Sequence, residues 1–196
     1  MSDRFILLVR HGEVQGGGRF RGGHDDPLTA TGWAQMRTAL SREQGLDRIL
    51  SSPALRCAAF ARVLAGERGL SLELSSDFGE RRFGDWEGLA AHQIPAEELA
   101  RFWAVPAGYD PPRAEPFADF RQRVLAGWRA LMGASDERTL VLTHGGVVRV
   151  ILAEVLGMGD PSGILIEVPH ACLTRLRVPP SPGRPSCLSH GVERLA

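Results

Sequence analysis

The sequence is poor in cysteine and carries no excess charge of either sign. Its three cysteines, Cys57, Cys172 and Cys187, are scattered and form no CxxC pair, which excludes a disulfide framework and argues against a cysteine zinc site. Lys plus Arg and Asp plus Glu both total 23, so the formal net charge is zero. Sequence-independent binding to nucleic acid depends on a basic excess, so we expect no nucleic-acid partner.

Long apolar runs are also missing. The apolar run near the start, Phe5–Val9, is too short for the core of a signal peptide, and no small-residue cleavage site follows it. No stretch approaches the length needed to cross a bilayer. These absences predict a cytoplasmic protein that has no membrane partner.

What the sequence does contain is an alternation of strand and helix patterns in a chain rich enough in apolar residues to form a core. The 196 residues are 43% hydrophobic, which suits a single domain over residues 1–196. Strands are predicted at Phe5–Val9, Asp47–Ser51, Leu70–Leu74, Arg138–Thr143, Ile164–Val168 and Leu173–Val178. Helices are predicted after a cap at Thr29 or Thr31, from Ser52-Pro53 through Leu64, at Phe117–Met132 and at Val147–Leu156. This alternation favours an α/β sandwich with a largely parallel sheet.

Two proline-rich segments interrupt the alternation. Prolines and Gly108 break the pattern in residues 92–116, which we predict as an excursion that could close over a site as a lid. Pro179–Pro185 is typical of a stiff linker and leads to a short tail.

Two histidines come directly after predicted strands. His11 follows the first strand at once, and His144 follows the strand that ends at Thr143. Ligands of such sheets bind beyond the carboxyl ends of the strands, so we expect both histidines at one site.

These residues suit phosphoryl transfer without a metal. That reaction needs a nucleophile that is unprotonated near neutral pH, fixed cations around the phosphoryl oxygens and a proton donor for the leaving oxygen. His11 suits the first role, and Gly12 beside it would let a phosphate approach the backbone. Arg56, in the first turn of a predicted helix, and His144 suit the second role. Glu80 is the candidate proton donor.

Four blocks of the chain resemble the histidine phosphatase superfamily, the group that includes cofactor-dependent phosphoglycerate mutase. The blocks are Leu8–Glu13, Ser51–Arg56, Glu80–Gly88 and Thr143–Gly146, and they occur in the family's order. Each block alone is weak, but the ordered set is specific. The resemblance implies a three-layer α/β/α sandwich that is phosphoglycerate mutase-like.

The resemblance also implies a role for each site residue. His11 is the nucleophile that becomes phosphorylated, and Arg10, Arg56 and His144 form the phosphate pocket. Glu80 is the general acid and later the base for water. No metal and no cofactor is implied.

Within this family the chain is most similar to α-ribazole phosphatases, which act in cobalamin synthesis. The compact length and the segments Phe83–Gly88 and Phe117–Val124 carry this similarity. It implies a small phosphorylated metabolite as the partner, with α-ribazole 5′-phosphate as the best single expectation. The sequence also allows a homodimer.

The chain departs from the family pattern near its Gly-rich segment, residues 16–23. Many members have an asparagine shortly after the nucleophile, and here Gln15 is the candidate to replace that contact. Arg21 stands where a small hydroxyl is common, which indicates a more anionic substrate or a salt bridge to Asp25 or Asp26. The full set predicted to bind substrate is Arg10, Gln15, Arg21, Gly22, Arg56, His144 and Gly145.

Several alternatives stay open at this point. Asp85 or Glu87 could be the acid in place of Glu80, and His170 could face the site or serve as a local hydrogen-bonding residue. A metal site at His11 is disfavoured because the arginines around it would repel a cation. The competing functions are a broad-specificity phosphatase, a phosphoglycerate mutase-type phosphotransferase and a non-catalytic module that binds a phosphorylated ligand.

Overall fold

The chain forms one six-stranded sheet in the order β3-β2-β4-β1-β5-β6. The computed structural model describes residues 2–135, 137–159, 163 and 165–192. The strands are β1 (Arg4–Arg10), β2 (Arg48–Ser51), β3 (Ser71–Leu74), β4 (Arg138–Thr143), β5 (Leu173–Val178) and β6 (Ser186–Gly191). β1 to β4 run parallel, whereas β5 is antiparallel to β1 and β6 is antiparallel to β5.

Helices cover both faces of the sheet. They are α1 (Ala30–Leu40), α2 (Leu55–Arg68), α3 (Ala96–Ala104), α4 (Phe117–Gly133) and α5 (Gly145–Leu156). Alternate residues of β1 point to opposite faces: Leu7 joins the core under α1 and α2, and Leu8 joins the core under α4 and α5. The predicted three-layer α/β/α sandwich with a mostly parallel sheet is confirmed.

The start of α1 follows its sequence signal, whereas the start of α2 does not. Thr29 caps α1 and accepts a hydrogen bond from the Gly32 amide at 2.9 Å. The predicted helix start at Ser52-Pro53 is wrong, because α2 begins at Leu55. The Asp25 carboxylate accepts from the Leu55 amide at 2.8 Å, so a residue distant in sequence supplies the first-turn acceptor.

The end of the chain differs from its prediction in two places. Residues 165–168 form a turn and irregular backbone instead of the predicted strand at 164–168, and Ile164 lies outside the described residues. Val168 is nevertheless buried in the core, which accounts for the apolar pattern. The predicted tail is the edge strand β6, and Pro179–Pro185 is the connection that turns the chain back from β5. Backbone pairing holds β6, and none of its side chains is buried, so the sequence shows no apolar pattern there.

The excursion at 92–116 carries α3 and packs on a separate group of rings. Phe102 of α3 lies against Phe20 and Trp86, with ring centroids 5.6 and 5.4 Å apart. We call this group, with Phe83 and Ile94, the aromatic cluster. Whether the excursion moves as a lid stays a prediction. None of the described helices is long and apolar enough to cross a membrane.

Candidate active site

His11 lies at the carboxyl end of β1 with 7% of its surface exposed. Its amide donates to the Thr143 carbonyl at 2.9 Å, which fixes it beside the end of β4. The ring Nδ1 lies 2.8 Å from the Gly12 carbonyl. A carbonyl only accepts hydrogen bonds, so Nδ1 carries the proton and Nε2 keeps the lone pair. Burial, followed by Arg10 and Arg56, lowers the pKa of His11 well below its usual value, so the ring is neutral at pH 7.

Gly12 is required by packing. A Cβ atom at this position would lie 2.2 Å from the Gly32 carbonyl oxygen of α1, which is an impossible approach. The absence of a side chain lets β1 turn directly against α1. Packing against α1 is thus a reason for Gly12 that the sequence did not show, and access for a phosphate at this position stays a prediction.

His144 follows β4 and lies beside His11. The register of the two parallel strands pairs Arg10 with Thr143, so both histidines leave the sheet at the same level. Their ring centroids are 5.3 Å apart. Nε2 of His144 lies 2.7 Å from the Ser52 hydroxyl. Burial first, and then Arg56, lowers the pKa of His144 well below its usual value. Nδ1 is buried and has no hydrogen-bond partner among the described residues.

Arg10 and Arg56 bring two guanidinium groups to the same place. Nη1 of Arg10 donates to the Val168 carbonyl at 2.5 Å. Arg56 is 1% exposed, and its Nη atoms donate to the carbonyls of Arg21, Gly22 and His24. The Nε atom of each arginine is buried with no partner in the described part of the chain. Nδ1 of His144 is the third buried nitrogen of this group without a partner among the described residues. Arg10 lines the cleft that contains His11, whereas Arg56 and His144 lie behind its lining.

Of the three candidate acids, Glu80 is the one that lines the cleft containing His11. Its carboxylate accepts from the amides of Arg81 and Gly146, both at 3.0 Å. Asp85 pairs with the exposed Arg113. The Glu87 carboxylate links two loops, because it accepts hydrogen bonds from the amides of Gly22, Gly23, His24 and Phe83. The hydrogen bonds of Asp85 and Glu87 thus hold loops together.

The remaining predicted substrate-binding residues surround the cleft unequally. Gln15 and Arg21 line it. The Arg21 guanidinium is bonded to Asp26 at 2.6 Å and to the carbonyls of Gln15 and Gly17, so the predicted salt bridge to Asp26 is present. Their roles toward substrate stay predictions.

The two glycines of that set lie at the edges. A Cβ at Gly22 would lie 2.0 Å from the Arg81 carbonyl, so this position packs the Gly-rich segment against the next loop. Gly145 begins α5, and a Cβ there would lie 3.3 Å from Nη1 of Arg149 and 3.7 Å from Arg10. It therefore lies between two arginines.

Several residues that line the cleft were absent from the predicted set, and four of them carry ionisable side chains: Glu13, Arg19, Arg149 and His170. Arg149 of α5 lines the cleft, and its Nε donates to the Ile166 carbonyl at 2.9 Å. Arg149 lies three residues after Gly146 on a helix that starts at the site, so the two share a helix face. This spacing was the signal in the sequence that could have placed Arg149 at the cleft. His170 also lines the cleft, with its ring centroid 5.8 Å from that of His11. Burial, followed by Arg10, lowers the pKa of His170 to about 4, so its ring is neutral at pH 7.

The cleft has a volume of about 660 Å³. It presents a neutral histidine with a free Nε2, cationic side chains around it and two carboxylates at its wall. These are Glu80 and Glu13, and the Glu13 carboxylate accepts from the Thr29 hydroxyl. This is the set required for transfer of a phosphoryl group to nitrogen and then to water. No three His, Cys, Asp or Glu side chains within the described ranges are grouped closely enough to hold a metal ion.

Comparison with known proteins agrees with this chemistry. A family model described as the histidine phosphatase superfamily (branch 1) matches residues 6–191. An adenosylcobalamin/alpha-ribazole phosphatase of Escherichia coli strain K12 is 30% identical over 184 residues, covering 88% of this chain and 89% of that protein.

Two further similarities concern length and fold. A bifunctional protein of Mycobacterium tuberculosis is 33% identical over 183 residues, which are 88% of this chain and 49% of that protein. The chain thus spans about half the length of the first curated relatives that it matches. The solved alpha-ribazole phosphatase from Shigella flexneri superposes with a TM-score of 0.85 at 24% identity, covering 98% of each chain. At that identity the similarity shows the shared fold.

Proposed function

Because this chain belongs to the histidine phosphatase superfamily, we propose that it is a metal-independent phosphomonoesterase that works through a phosphohistidine at His11. The observation that carries the proposal is the state of the His11 ring. Its Nδ1 proton is held by the Gly12 carbonyl, and its Nε2 lone pair is free in a buried, neutral imidazole.

The first step forms a bond between Nε2 of His11 and phosphorus. The ester bond to the leaving oxygen breaks as this bond forms, and the leaving oxygen takes a proton from the Glu80 carboxyl. Arg10, Arg56 and His144 have buried nitrogens without partners among the described residues, and these donate to the equatorial oxygens. Fixed donors stabilise the charge of the transition state without reorganisation.

The second step returns His11 to its starting state. A water molecule attacks phosphorus on the side that the alcohol has left and gives its proton to the Glu80 carboxylate. The bond between Nε2 and phosphorus then breaks, and inorganic phosphate is released. Glu80 thus acts as acid in the first step and as base in the second.

We propose α-ribazole 5′-phosphate as the physiological substrate. The support is the E. coli relative, which bears the name of an alpha-ribazole phosphatase and matches 88% of this chain. A small phosphorylated metabolite is then the partner, and the protein acts in the cytoplasm in cobalamin synthesis. A broad-specificity phosphatase is the coarser form of the same proposal. A homodimer stays a prediction.

The test is phosphate release from α-ribazole 5′-phosphate, 3-phosphoglycerate and p-nitrophenyl phosphate, each with EDTA present. A strong preference for the ribazole ester in the wild type, together with loss of phosphate release from all three esters in His11→Ala, supports the full proposal. Similar release from all three supports the phosphatase and withdraws the substrate. Conversion of 3-phosphoglycerate to its 2-isomer without phosphate release would indicate a mutase. Binding of phosphate without any turnover would indicate a binding module.

A further inference from the structure

A second cavity opens beside the cleft. It has a volume of about 180 Å³, and we call it the side cavity. Its aromatic walls are Phe20, Phe83, Phe102, Trp103, Phe117 and Phe120. The residues that it shares with the cleft are Phe20, Glu80, Phe83, Trp103 and Arg149, so the two spaces meet along these side chains.

The proposed nucleophile and the proposed acid differ in which of the two spaces they line. His11 lines the cleft and is absent from the lining of the side cavity, whereas Glu80 lines both. In an in-line transfer the leaving oxygen lies opposite the attacking nitrogen. The acid must lie within hydrogen-bond reach of that oxygen. The alcohol that leaves with the proton of Glu80 is therefore directed toward the side cavity.

The walls determine what that alcohol carries. A cavity of about 150 Å³ lined by apolar side chains binds benzene, so a space of this size suits one aromatic ring. Aromatic walls favour a ring by edge and stacking contacts. The charged groups at the walls have partners already: Arg81 is bonded to the Glu115 carbonyl and to Asp110, and Arg149 is bonded to the Ile166 carbonyl.

Trp103 marks the entrance. Its side chain is 58% exposed, whereas Trp86 and Trp128 are almost fully buried. It lines both spaces, and its ring centroid lies 5.0 Å from that of Phe102. An exposed indole at the junction offers a flat apolar face to an entering ring, at the position where the leaving group passes Glu80.

We propose that the side cavity binds an aromatic ring carried by the leaving alcohol, and that this contact selects the substrate. The inference rests on the proposed phosphatase and adds a substrate class to it: monoesters of alcohols that carry an aromatic ring. The excursion at 92–116 supplies Phe102, Trp103 and Ala107 to the walls, so this segment sets the preference.

The test compares benzyl phosphate with ethyl phosphate. Both are esters of primary alcohols, so a difference in kcat/KM reports the ring and not the leaving-group chemistry. We expect the wild-type protein to favour benzyl phosphate by roughly tenfold. Trp103→Ala removes the entrance ring, and Ala107→Leu fills the cavity. Each should reduce the benzyl-to-ethyl ratio of kcat/KM by roughly fivefold, because only the benzyl ester has a ring that loses its contacts.

Val105→Ala is the matched control. Val105 is 51% exposed on the same segment and lines neither space, so its ratio should equal that of the wild type. The inhibition constants of benzylphosphonate and methylphosphonate give the same comparison for binding alone, because neither compound has an ester bond to break. Equal kcat/KM for both esters, or a ratio that no variant changes, would overturn the side-cavity inference while the phosphatase stands. Equal loss on both esters in the variants would overturn it too. Release of phosphate from neither ester would overturn the phosphatase itself and the inference with it.

Discussion

The end of the cleft around His11 and His144, which we call the phosphate end, is built differently from the side cavity. At the phosphate end, polar side chains leave the ends of sheet strands and are held by hydrogen bonds. The side cavity is enclosed by rings from loops, from α4 and from the excursion. His11 and His144 follow paired positions of β1 and β4, and hydrogen bonds of defined direction hold them. The aromatic walls are held by contact area, which tolerates changes of shape better than hydrogen bonds do. Substitutions at the phosphate end should therefore lower activity on every substrate alike. Substitutions in the side cavity should alter which substrate is preferred.

The largest expected effect is that of His11→Ala. In the proposed mechanism Nε2 of His11 bonds to phosphorus, so its removal should lower kcat by about 10³-fold or more, for benzyl and ethyl phosphate equally. Steady-state phosphate release measures it, and His92→Ala, at an exposed position away from the cleft, is the control. Loss on only one ester would break the division between the two regions.

Arg56→Lys should have the next largest effect. Lysine keeps the charge but cannot reproduce the planar fork that reaches the carbonyls of Arg21, Gly22 and His24. We expect kcat/KM to fall about 100-fold with an unchanged benzyl-to-ethyl ratio. Arg37→Lys, at an exposed ion pair on α1, controls for the substitution itself. A changed ratio would show that Arg56 also shapes the side cavity.

Glu87→Gln tests the connection between the regions. The Glu87 carboxylate joins the Gly-rich segment, through Gly22 and His24, to the loop that carries Phe83. Glutamine would place its NH₂ group, which is a donor, against backbone amides that are also donors. Some of these hydrogen bonds would be lost, so we expect the free energy of unfolding to fall by about 2 kcal/mol. Urea unfolding measures this loss, with Glu154→Gln at an exposed ion pair as the control. The benzyl-to-ethyl ratio should change as well, and an unchanged ratio would mean that the two regions are independent.

The smallest expected effect is a dependence of stability on pH that belongs to the phosphate end. The folded chain keeps His11 and His144 neutral because their pKa values lie well below the usual value. The unfolded chain takes up protons as pH falls through about 6.5. It then binds more protons than the folded chain, so the free energy of unfolding falls below that pH, by at most about 1.4 kcal/mol per unit for each ring. Urea unfolding between pH 7.5 and 5.5 should show a smaller slope in His11→Gln than in the wild type. Identical slopes would contradict the neutral, buried state of His11.

The same division explains what the sequence could predict. His11 and His144 each follow an apolar run directly, so strand pattern and topology place them together. The sandwich follows from the alternation of those runs with helical patterns. Ser52 shows a limit, since its local context predicts a helix cap while its hydroxyl lies against His144 across the site.

The side cavity could not be predicted, because its walls meet only after folding. Phe20, Trp103 and Phe120 are far apart in the chain. The spacing of Leu99, Phe102 and Trp103 fits one face of α3, but this pattern does not tell what the face packs against. The strand β6 could not be predicted either. It is an edge strand held by backbone pairing, and such a strand needs no apolar side chains that a sequence pattern would show.

The way in which the Gly-rich segment is fastened has a consequence for evolution and engineering. Arg21 holds the carbonyls of Gln15 and Gly17, and Arg56 and Glu87 hold the backbone at Gly22. Between these anchors, a side chain at Gly18 would meet no atom within 4 Å, and its backbone is not left-handed. The chain therefore offers a site for graft or insertion at the rim of the cleft, where new residues could acquire contacts to new substrates while the catalytic groups keep their places.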